Sequence, residues 1–155
     1  DARELGRSSM GVRGITLDEG DEAVGALSCD TTAEDKDKHT VLVVSENGFG
    51  KRSKIGEYRL TARGAKGVRT IDITEKTGKL VAIKNVTEDN DLMIITKSGL
   101  TIRMAVSDIR VCSRATQGVK LINLRESDSI AAVSVVAHED SETAEEEQPQ
   151  ATTAE

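Results

Sequence analysis

Aromatic side chains are almost absent from this chain of 155 residues, which has one phenylalanine, one tyrosine and no tryptophan. A hydrophobic core must therefore be filled by valine, isoleucine and leucine. Phe49 and Tyr58 flank a basic segment, and we expect both to pack at the edge of a structural unit. Stacking on a nucleic-acid base is the less favoured alternative.

Other absences exclude whole classes of protein. No run of 18 apolar residues is present, so no transmembrane helix is expected, and the N-terminus has no charged-then-apolar leader. Cys29 and Cys112 do not have metal-ligand spacing; we expect two reduced, buried thiols, with a disulfide as the alternative. No P-loop, nucleophile–base pair or metal set is visible, so an independent enzyme is disfavoured, and we predict no catalytic, cofactor-binding or metal-binding residue.

Charge is strongly segregated along the chain. Residues 47–120 contain 15 Lys or Arg against 7 Asp or Glu, whereas residues 139–155 contain 7 acids and no base. A basic middle predicts an anionic partner. The acidic tail has no apolar set that could offset the entropy of ordering, so we predict that it is disordered and competes for the same basic surface.

A spacing of 51 residues organises the chain. The segment 47–52 (Asn-Gly-Phe-Gly-Lys-Arg) is matched by 98–103 (Ser-Gly-Leu-Thr-Ile-Arg). The segment 63–69 (Arg-Gly-Ala-Lys-Gly-Val-Arg) is matched by 114–120, and a further copy is found at 7–13. We call residues 7–13, 63–69 and 114–120 the basic motifs. A period of about 50 residues is typical of solenoids and propellers.

Within each period the pattern is that of β-structure, with short apolar runs separated by glycine-containing turns. Asn47-Gly48 favours a tight hairpin, because both residues tolerate positive φ. About four strands per unit predicts propeller-type blades. We predict strands at residues 23–27, 41–44, 70–73, 80–86, 92–95 and 130–136, and a solvated insertion at 30–39. The domain should cover residues 1–137, in units of about 7–62, 63–113 and 114–136, followed by the tail at 138–155.

The recurring cations are the candidate binding residues. Arginine and lysine bind phosphate by charge, and each contact releases counterions condensed on DNA. The alternative is a solvated face with local ion pairs, because Glu57 and Asp108 also recur 51 residues apart. The predicted DNA contacts are Arg7, Arg13, Lys51, Arg52, Lys54, Arg63, Lys66, Arg69, Arg103, Arg114 and Lys120.

These motifs resemble the C-terminal domain of the A subunit of DNA gyrase. The resemblance rests on several segments in the order and spacing of that family and covers residues 5–136. The segments that carry the resemblance are residues 46–52, 57–59, 63–68, 7–15, 19–21 and 114–119. One departure is the family's Gln-basic-basic-Gly-Gly-basic-Gly box, which belongs to its first blade: residues 61–67 have the outline but miss the Gln and one base.

The resemblance implies an all-β fold, the β-pinwheel, whose blades exchange strands and whose basic perimeter wraps duplex DNA. This chain would form about two and a half blades. It would not be an enzyme by itself, since Tyr58 lies in a blade motif and not in a cleavage domain. The implied partners are duplex DNA, the remainder of the gyrase A subunit, and the ATPase subunit, in the bacterial cytoplasm at the nucleoid.

The resemblance also implies that the whole enzyme uses ATP and Mg²⁺ through other domains to introduce negative supercoils. Two alternatives remain. One is the homologous subunit of topoisomerase IV, which has the same fold with fewer and more degenerate repeats. The other is a repeat-type module that binds protein, in which open blade edges would also allow self-association.

Overall fold

Seven β-strands form the scaffold of the computed structural model, which describes residues 4–29 and 36–138. No α-helix occurs in this part of the chain; single 3₁₀ turns lie at Lys36–Lys38, Ile55–Glu57 and Val106–Asp108. The strands are β1 (Thr40–Ser45), β2 (Phe49–Lys54), β3 (Leu80–Val86), β4 (Asn90–Thr96), β5 (Thr101–Ala105), β6 (Val119–Lys120) and β7 (Ile130–Ala137).

The strands form two antiparallel sheets, one ordered β3-β1-β2-β6 and the other β5-β4-β7. The sheets repeat each other in detail. The register between β1 and β3 shifts at Val44/Ser45, and the register between β4 and β7 shifts at Ile95/Thr96. The 51-residue sequence period is therefore a structural period, and the predicted all-β fold is confirmed.

The main core lies between the two sheets and is aliphatic, as the shortage of aromatics predicts. Leu42 and Val44 of β1 pack in one buried cluster with Leu92 and Ile94 of β4, and all four side chains are fully buried. Burying one such side chain contributes about 1.5–3 kcal/mol before entropy is counted. Face-to-face packing of successive sheets is the arrangement of propeller blades.

The other face of β1 is covered as well. Val41 and Val43 form a second buried cluster with Ile71. The outer face of β4 is more open: Ile95, whose counterpart Val44 lies in the main core, is 39% exposed. Within the described residues, the first sheet is thus covered on both faces and the second mainly on one.

Neighbouring units exchange chain segments. β6 comes from the third basic motif and pairs with β2, so that Phe49 faces Lys120 and Gly50 faces Val119. Just before β6, Val111 forms a parallel bridge with Arg52. Each sheet therefore combines strands from successive repeats, and the unit boundaries at 62/63 and 113/114 stay predictions.

The tight hairpin predicted at Asn47-Gly48 is present between β1 and β2. Gly48 has φ of 84°, but Asn47 does not have positive φ. The Gly48 amide donates to the Ser45 carbonyl at 3.1 Å, which gives a three-residue loop closed by a left-handed glycine. A single glycine with positive φ is therefore sufficient to close this loop.

Two predicted strands, 23–27 and 70–73, are absent. Residues 70–73 instead direct Ile71 into the second cluster, and the counterpart segment 121–124 likewise directs Ile122 into the main core. Residues 23–27 have a strand pattern but no hydrogen-bonded partner strand among the described residues. Apolar alternation alone did not distinguish packing between sheets from pairing within one.

Two further predictions fall mostly or wholly outside the described residues. The structure does not describe most of the insertion predicted at 30–39 or the tail from residue 139 onward. Cys29 and Cys112 are free thiols and are half-buried, not fully buried as predicted, and burial raises the pKa of the Cys29 thiol.

Candidate nucleic-acid interface

The three basic motifs are neighbours in space. The Thr16 amide, just after the first motif, donates to the Ala65 carbonyl of the second motif at 3.1 Å. One unit later, the Asp72 amide donates to the Thr116 carbonyl of the third motif at 3.2 Å. The same backbone hydrogen bond thus recurs and brings the cations at the ends of successive motifs onto adjoining segments.

Most of the predicted cations are exposed. Eight side chains are open to solvent and could reach a polyanion without structural change: Arg7, Arg13, Lys54, Arg63, Lys66, Arg69, Arg103 and Lys120. Six of them belong to the basic motifs. Lys54 ends β2, and Arg103 lies on β5.

Lys51 and Arg52 lie in the interior. Lys51 is 0% exposed; its Nζ donates to the Ser113 carbonyl at 2.6 Å, and burial lowers the pKa of the ammonium. Arg52 donates from Nε to the Ile109 carbonyl at 2.6 Å and pairs with Glu88 at 3.1 Å. Their burial corrects the prediction that Lys51 and Arg52 contact DNA, because neither side chain can present its charge to a phosphate while the fold is intact.

These two side chains were misplaced because the sequence does not show which strand edge is covered. They hold the exchanged segment against β2. The Arg52 backbone also accepts from the Cys112 amide at 2.7 Å, and the Ser53 hydroxyl donates to the Cys112 carbonyl at 3.0 Å.

Arg114 is half-buried and has a supporting role. Its backbone amide donates to the Glu57 carboxylate at 2.8 Å and its Nε to the Glu57 carbonyl at 3.1 Å. Its Nη1 donates to the Arg69 carbonyl at 2.6 Å. The third motif is therefore fixed to both the first sheet and the second motif, and Glu57 is used structurally rather than as an exposed ion pair.

Some exposed cations have acidic neighbours. Lys66 pairs with Asp18 at 2.7 Å with both side chains 70% exposed, and this hydrogen bond raises the pKa of the ammonium. Arg69 pairs with Asp72 at 3.3 Å. Ion pairs this exposed contribute little and are screened by salt, so a phosphate can replace the carboxylate.

Arg103 belongs to a more ordered cluster. Asp91 accepts from Arg103 Nε at 2.7 Å and hydrogen-bonds His138 Nδ1 at 2.7 Å. The hydrogen bond from His138, with help from Arg103, holds the pKa of the Asp91 carboxyl below its ordinary value. Arg103 is thus accessible but shares its charge with a buried carboxylate.

The structure also brings in cations that sequence reasoning missed. The ammonium of Lys76 lies 5.4 Å from the centre of the Phe49 ring, and Phe49 pairs directly with Lys120. Lys76 comes from a loop without a recurring base, so no sequence signal marked it. Arg59 is also outside the predicted set. It lines an open cavity of about 640 Å³ together with Tyr58 and the predicted contact Lys54.

Both aromatic rings pack as expected. Phe49 is buried, and the hydroxyl of half-buried Tyr58 hydrogen-bonds Thr70. The described part of the chain contains no group of three or more metal-ligating side chains. None of its helices is long and apolar enough to cross a membrane.

Two sheets stacked face to face, a 51-residue structural repeat and exchanged edge strands define a propeller-type repeat domain with cations on its exchanged segments. Comparison with known proteins identifies the family. The sequence model described as DNA gyrase C-terminal domain, beta-propeller, matches residues 1–30, 39–87 and 90–137, and the chain belongs to this family.

Similar proteins agree with this assignment. The chain is 46% identical over 154 residues to the A subunit of DNA gyrase from Staphylococcus aureus (strain NCTC 8325 / PS 47), covering 99% of this chain and 17% of that protein. It is 47% identical over 138 residues to the A subunit of DNA gyrase from Staphylococcus epidermidis (strain ATCC 12228 / FDA PCI 1200), covering 89% of this chain and 15% of that protein. The chain therefore spans less than a fifth of these relatives.

Solved structures show the same fold. A DNA gyrase A C-terminal domain matches with a TM-score of 0.59 and 28% identity over 62% of this chain and 33% of that chain. The C-terminal domain of a DNA topoisomerase IV matches with a TM-score of 0.69 over 81% of this chain and 38% of that chain. At 20% identity the second likeness concerns the fold alone.

Proposed function

We propose that this chain binds duplex DNA through its phosphates along the surface formed by the three basic motifs. The observation that carries the proposal is the recurring hydrogen bond that places successive motifs side by side. Contacts to the phosphates of DNA hold the duplex in position and carry little sequence information.

The contact residues follow from exposure. They are the eight exposed cations of the predicted set, to which Lys76 and Arg59 are added because of their positions beside Lys120 and Lys54. Lys51, Arg52 and Arg114 support this surface from beneath. DNA that follows successive motifs would bend around the domain, which is the basis for wrapping.

In the longer protein, we propose that this wrapping assists a gyrase in ATP-dependent negative supercoiling within the bacterial cytoplasm. The partners would be the rest of the gyrase A subunit, together with the ATPase subunit. Other domains would bind ATP and Mg²⁺. The identity of 46% to the gyrase A subunit favours this role over that of a topoisomerase IV subunit.

A salt titration tests the binding step. A fluorescent duplex of about 30 base pairs should bind with an affinity that falls steeply between 50 and 200 mM salt, because each phosphate contact releases counterions. Duplexes of unrelated sequence should bind equally well. An affinity that hardly changes with salt would refute binding led by phosphates.

A topological assay tests the wrapping step. Closing a nicked circular plasmid with ligase in the presence of the chain should change its linking number if DNA is bent in one sense around the domain. An unchanged linking number when the DNA is saturated with the chain would show that the chain binds DNA without wrapping it.

The acidic tail provides a further test. Deleting residues 139–155 should strengthen DNA binding, because 7 acids that compete for the basic surface are removed. Unchanged or weaker binding would reject the competition.

Self-association is the second candidate property. The outer edge of β5 pairs with no other strand among the described residues, and Ile95 is open on the adjoining face. Unpaired edges invite strand addition. Light scattering should therefore show a molar mass that rises with protein concentration. A chain that keeps the mass of a monomer at all concentrations and still binds DNA would exclude self-association.

A further inference from the structure

Glu57 is an acidic residue in direct contact with a basic motif. It ends the 3₁₀ turn that follows β2, and its carboxylate accepts from the Arg114 amide at 2.8 Å. An exposed carboxylate beside a phosphate-binding surface would repel DNA. Glu57 is instead half-buried, and Arg114 uses both of its acceptors, the carboxylate and the backbone carbonyl.

This contact fixes the backbone and the side chain of Arg114 together. The Glu57 carboxylate holds the Arg114 amide, and the Glu57 carbonyl accepts from Nε of the guanidinium at 3.1 Å. Because one residue holds both ends of the arginine side chain, the guanidinium has little freedom to turn. Its remaining nitrogens are therefore directed away from Glu57.

The guanidinium joins the third basic motif to the second. Arg114 Nη1 donates to the Arg69 carbonyl at 2.6 Å. We call the hydrogen bonds of Arg114 to Glu57 and Arg69 the arginine clamp. Three residues after Arg69, the Asp72 amide donates to the Thr116 carbonyl at 3.2 Å, so the third motif holds residues 69–72 at both ends. Among the described side chains of the basic motifs, only that of Arg114 donates to another basic motif.

The clamp lies between two exposed cations. The side chain of Arg69 is 69% exposed although its carbonyl is held, and exposed Lys120 ends the third motif, where β6 pairs with β2. Phosphates follow one another at regular intervals along a duplex. Two cations that are already held at a suitable spacing lose less conformational freedom on binding than two that move independently.

We propose that Glu57 and Arg114 are positioning residues for DNA binding, which hold Arg69 and Lys120 at a spacing that fits one duplex. This proposal rests on the proposed DNA binding and gives an acidic residue a part in it. The expected effect of removing Glu57 has the opposite sign to the effect of charge alone. Loss of this carboxylate weakens DNA binding, whereas loss of an unclamped carboxylate on the same surface strengthens it.

The variant Glu57→Ala tests this sign with the fluorescent duplex. Its affinity should fall about three- to tenfold, because the motifs must now be ordered on binding. At about 150 mM salt the Debye length is about 8 Å, which limits the direct effect of the lost charge. Glu57→Gln keeps an oxygen acceptor for the Arg114 amide, so it should bind about threefold more tightly than Glu57→Ala. Undiminished affinity of Glu57→Ala would overturn the proposal.

Asp108 provides the matched control for Glu57. It ends the equivalent 3₁₀ turn, Val106–Asp108, and its side chain is exposed. No arginine among the described residues donates to its carboxylate. Asp108→Ala removes the same charge without loosening a clamp, so the affinity for DNA should stay the same or rise. An equal loss of affinity in Asp108→Ala and Glu57→Ala would mean that the contact with Arg114 contributes nothing.

The variant Arg114→Lys tests the clamp at constant net charge. An ammonium cannot reproduce the separate hydrogen bonds of Nε and Nη1, so the affinity should fall about three- to tenfold. The slope of log affinity against log salt should not change, because no cation is lost. Arg110→Lys is the control: this exposed arginine donates only to the Cys112 thiol, and its replacement should leave affinity nearly unchanged. Equal affinities of the two variants would contradict the clamp.

A distance measurement separates the clamp from DNA binding itself. Spin labels are attached at positions 69 and 120 after Arg69→Cys and Lys120→Cys, in a chain that also carries Cys29→Ser and Cys112→Ser. Double electron–electron resonance should give a narrow distribution of label distances, and Arg114→Lys should broaden it. If the unmodified chain did not bind DNA, the proposed function would fail, and the distances would still decide whether Arg114 fixes the two motifs. Equal widths in variants that urea unfolding shows to be folded would overturn the positioning role.

Discussion

Among single residues, Lys51 shows most clearly that a recurring cation can be structural. Its ammonium is buried against the Ser113 carbonyl. Lys51→Met should lower the free energy of unfolding by about 1–2 kcal/mol, because the hydrogen bond from the Lys51 ammonium to the Ser113 carbonyl is lost. It should leave DNA affinity almost unchanged. Urea denaturation and a DNA titration measure the two effects.

Lys120→Met is the matched control for this substitution. Lys120 is exposed on β6, so its loss should weaken DNA binding and leave stability within about 0.5 kcal/mol. If Lys51→Met reduced DNA affinity as strongly as Lys120→Met while the protein remained folded, the structural role of Lys51 would be wrong.

Ser127 is the one non-glycine residue with positive φ among the described residues, at 74°. A left-handed conformation costs a residue with a Cβ about 1–2 kcal/mol, partly offset by the greater freedom of glycine in the unfolded chain. Ser127→Gly should therefore stabilise the protein by up to about 1 kcal/mol in thermal or urea unfolding. Ser134→Gly, in the extended strand β7, should destabilise it instead.

At the level of secondary-structure elements, the exchange of β6 onto β2 depends on Gly118. Gly118→Ala would place a Cβ 2.5 Å from the Gly50 oxygen, in addition to the strain of positive φ. Gly67→Ala carries the same φ strain with nothing within 4 Å. Gly67→Ala should cost about 1–2 kcal/mol, and Gly118→Ala distinctly more, in urea unfolding. Equal costs would mean that the close contact contributes nothing.

The β4–β5 turn gives the fold a dependence on pH. Hydrogen bonds from Ser98, and from the Ser129 amide, hold the pKa of the Asp128 carboxyl below its ordinary value of 3.8. A carboxyl with a lowered folded pKa stabilises the fold above its unfolded pKa, and this stability is lost as the pH falls below 3.8 toward the folded value. Asp91 acts in the same direction through His138.

Urea unfolding between pH 3 and pH 6 measures this effect. The free energy of unfolding should fall at the acidic end, and Asp128→Asn should make that fall shallower and lower the stability at pH 6. A variant whose profile has the same slope as the unmodified chain would show that Asp128 does not contribute to the pH dependence.

Elements with local signals were predictable from sequence. The strand predicted at 80–86 coincides with β3, and the runs at 41–44 and 92–95 lie within β1 and β4. Residues 70–73 have a similar alternating pattern but pack between sheets, since long-range contacts decide between these outcomes. Sequence periodicity therefore predicted the unit and its main strands, but not the exchange.

For the whole molecule, the same limit applies to the candidate site. The repeat marked the three basic motifs as candidates, but it could not separate exposed cations such as Arg69 from buried ones such as Arg52. That separation depends on which neighbouring segment covers a strand edge. The difference between Arg52, covered by residues 109–112, and exposed Arg103 at the equivalent position makes this plain.

The proposed DNA-binding surface requires the three motifs to be aligned, and the salt dependence of DNA binding measures how many of their cations contact phosphates. Three substitutions, Arg13→Ala, Arg69→Ala and Lys120→Ala, remove one exposed cation at the same position of each motif. The slope of log affinity against log salt should become shallower by about 0.9 for each one, and the effects should add. Lys97→Ala, in the β4–β5 turn, should leave the slope unchanged. If the triple variant kept the full slope, the basic motifs would not form the DNA-binding surface.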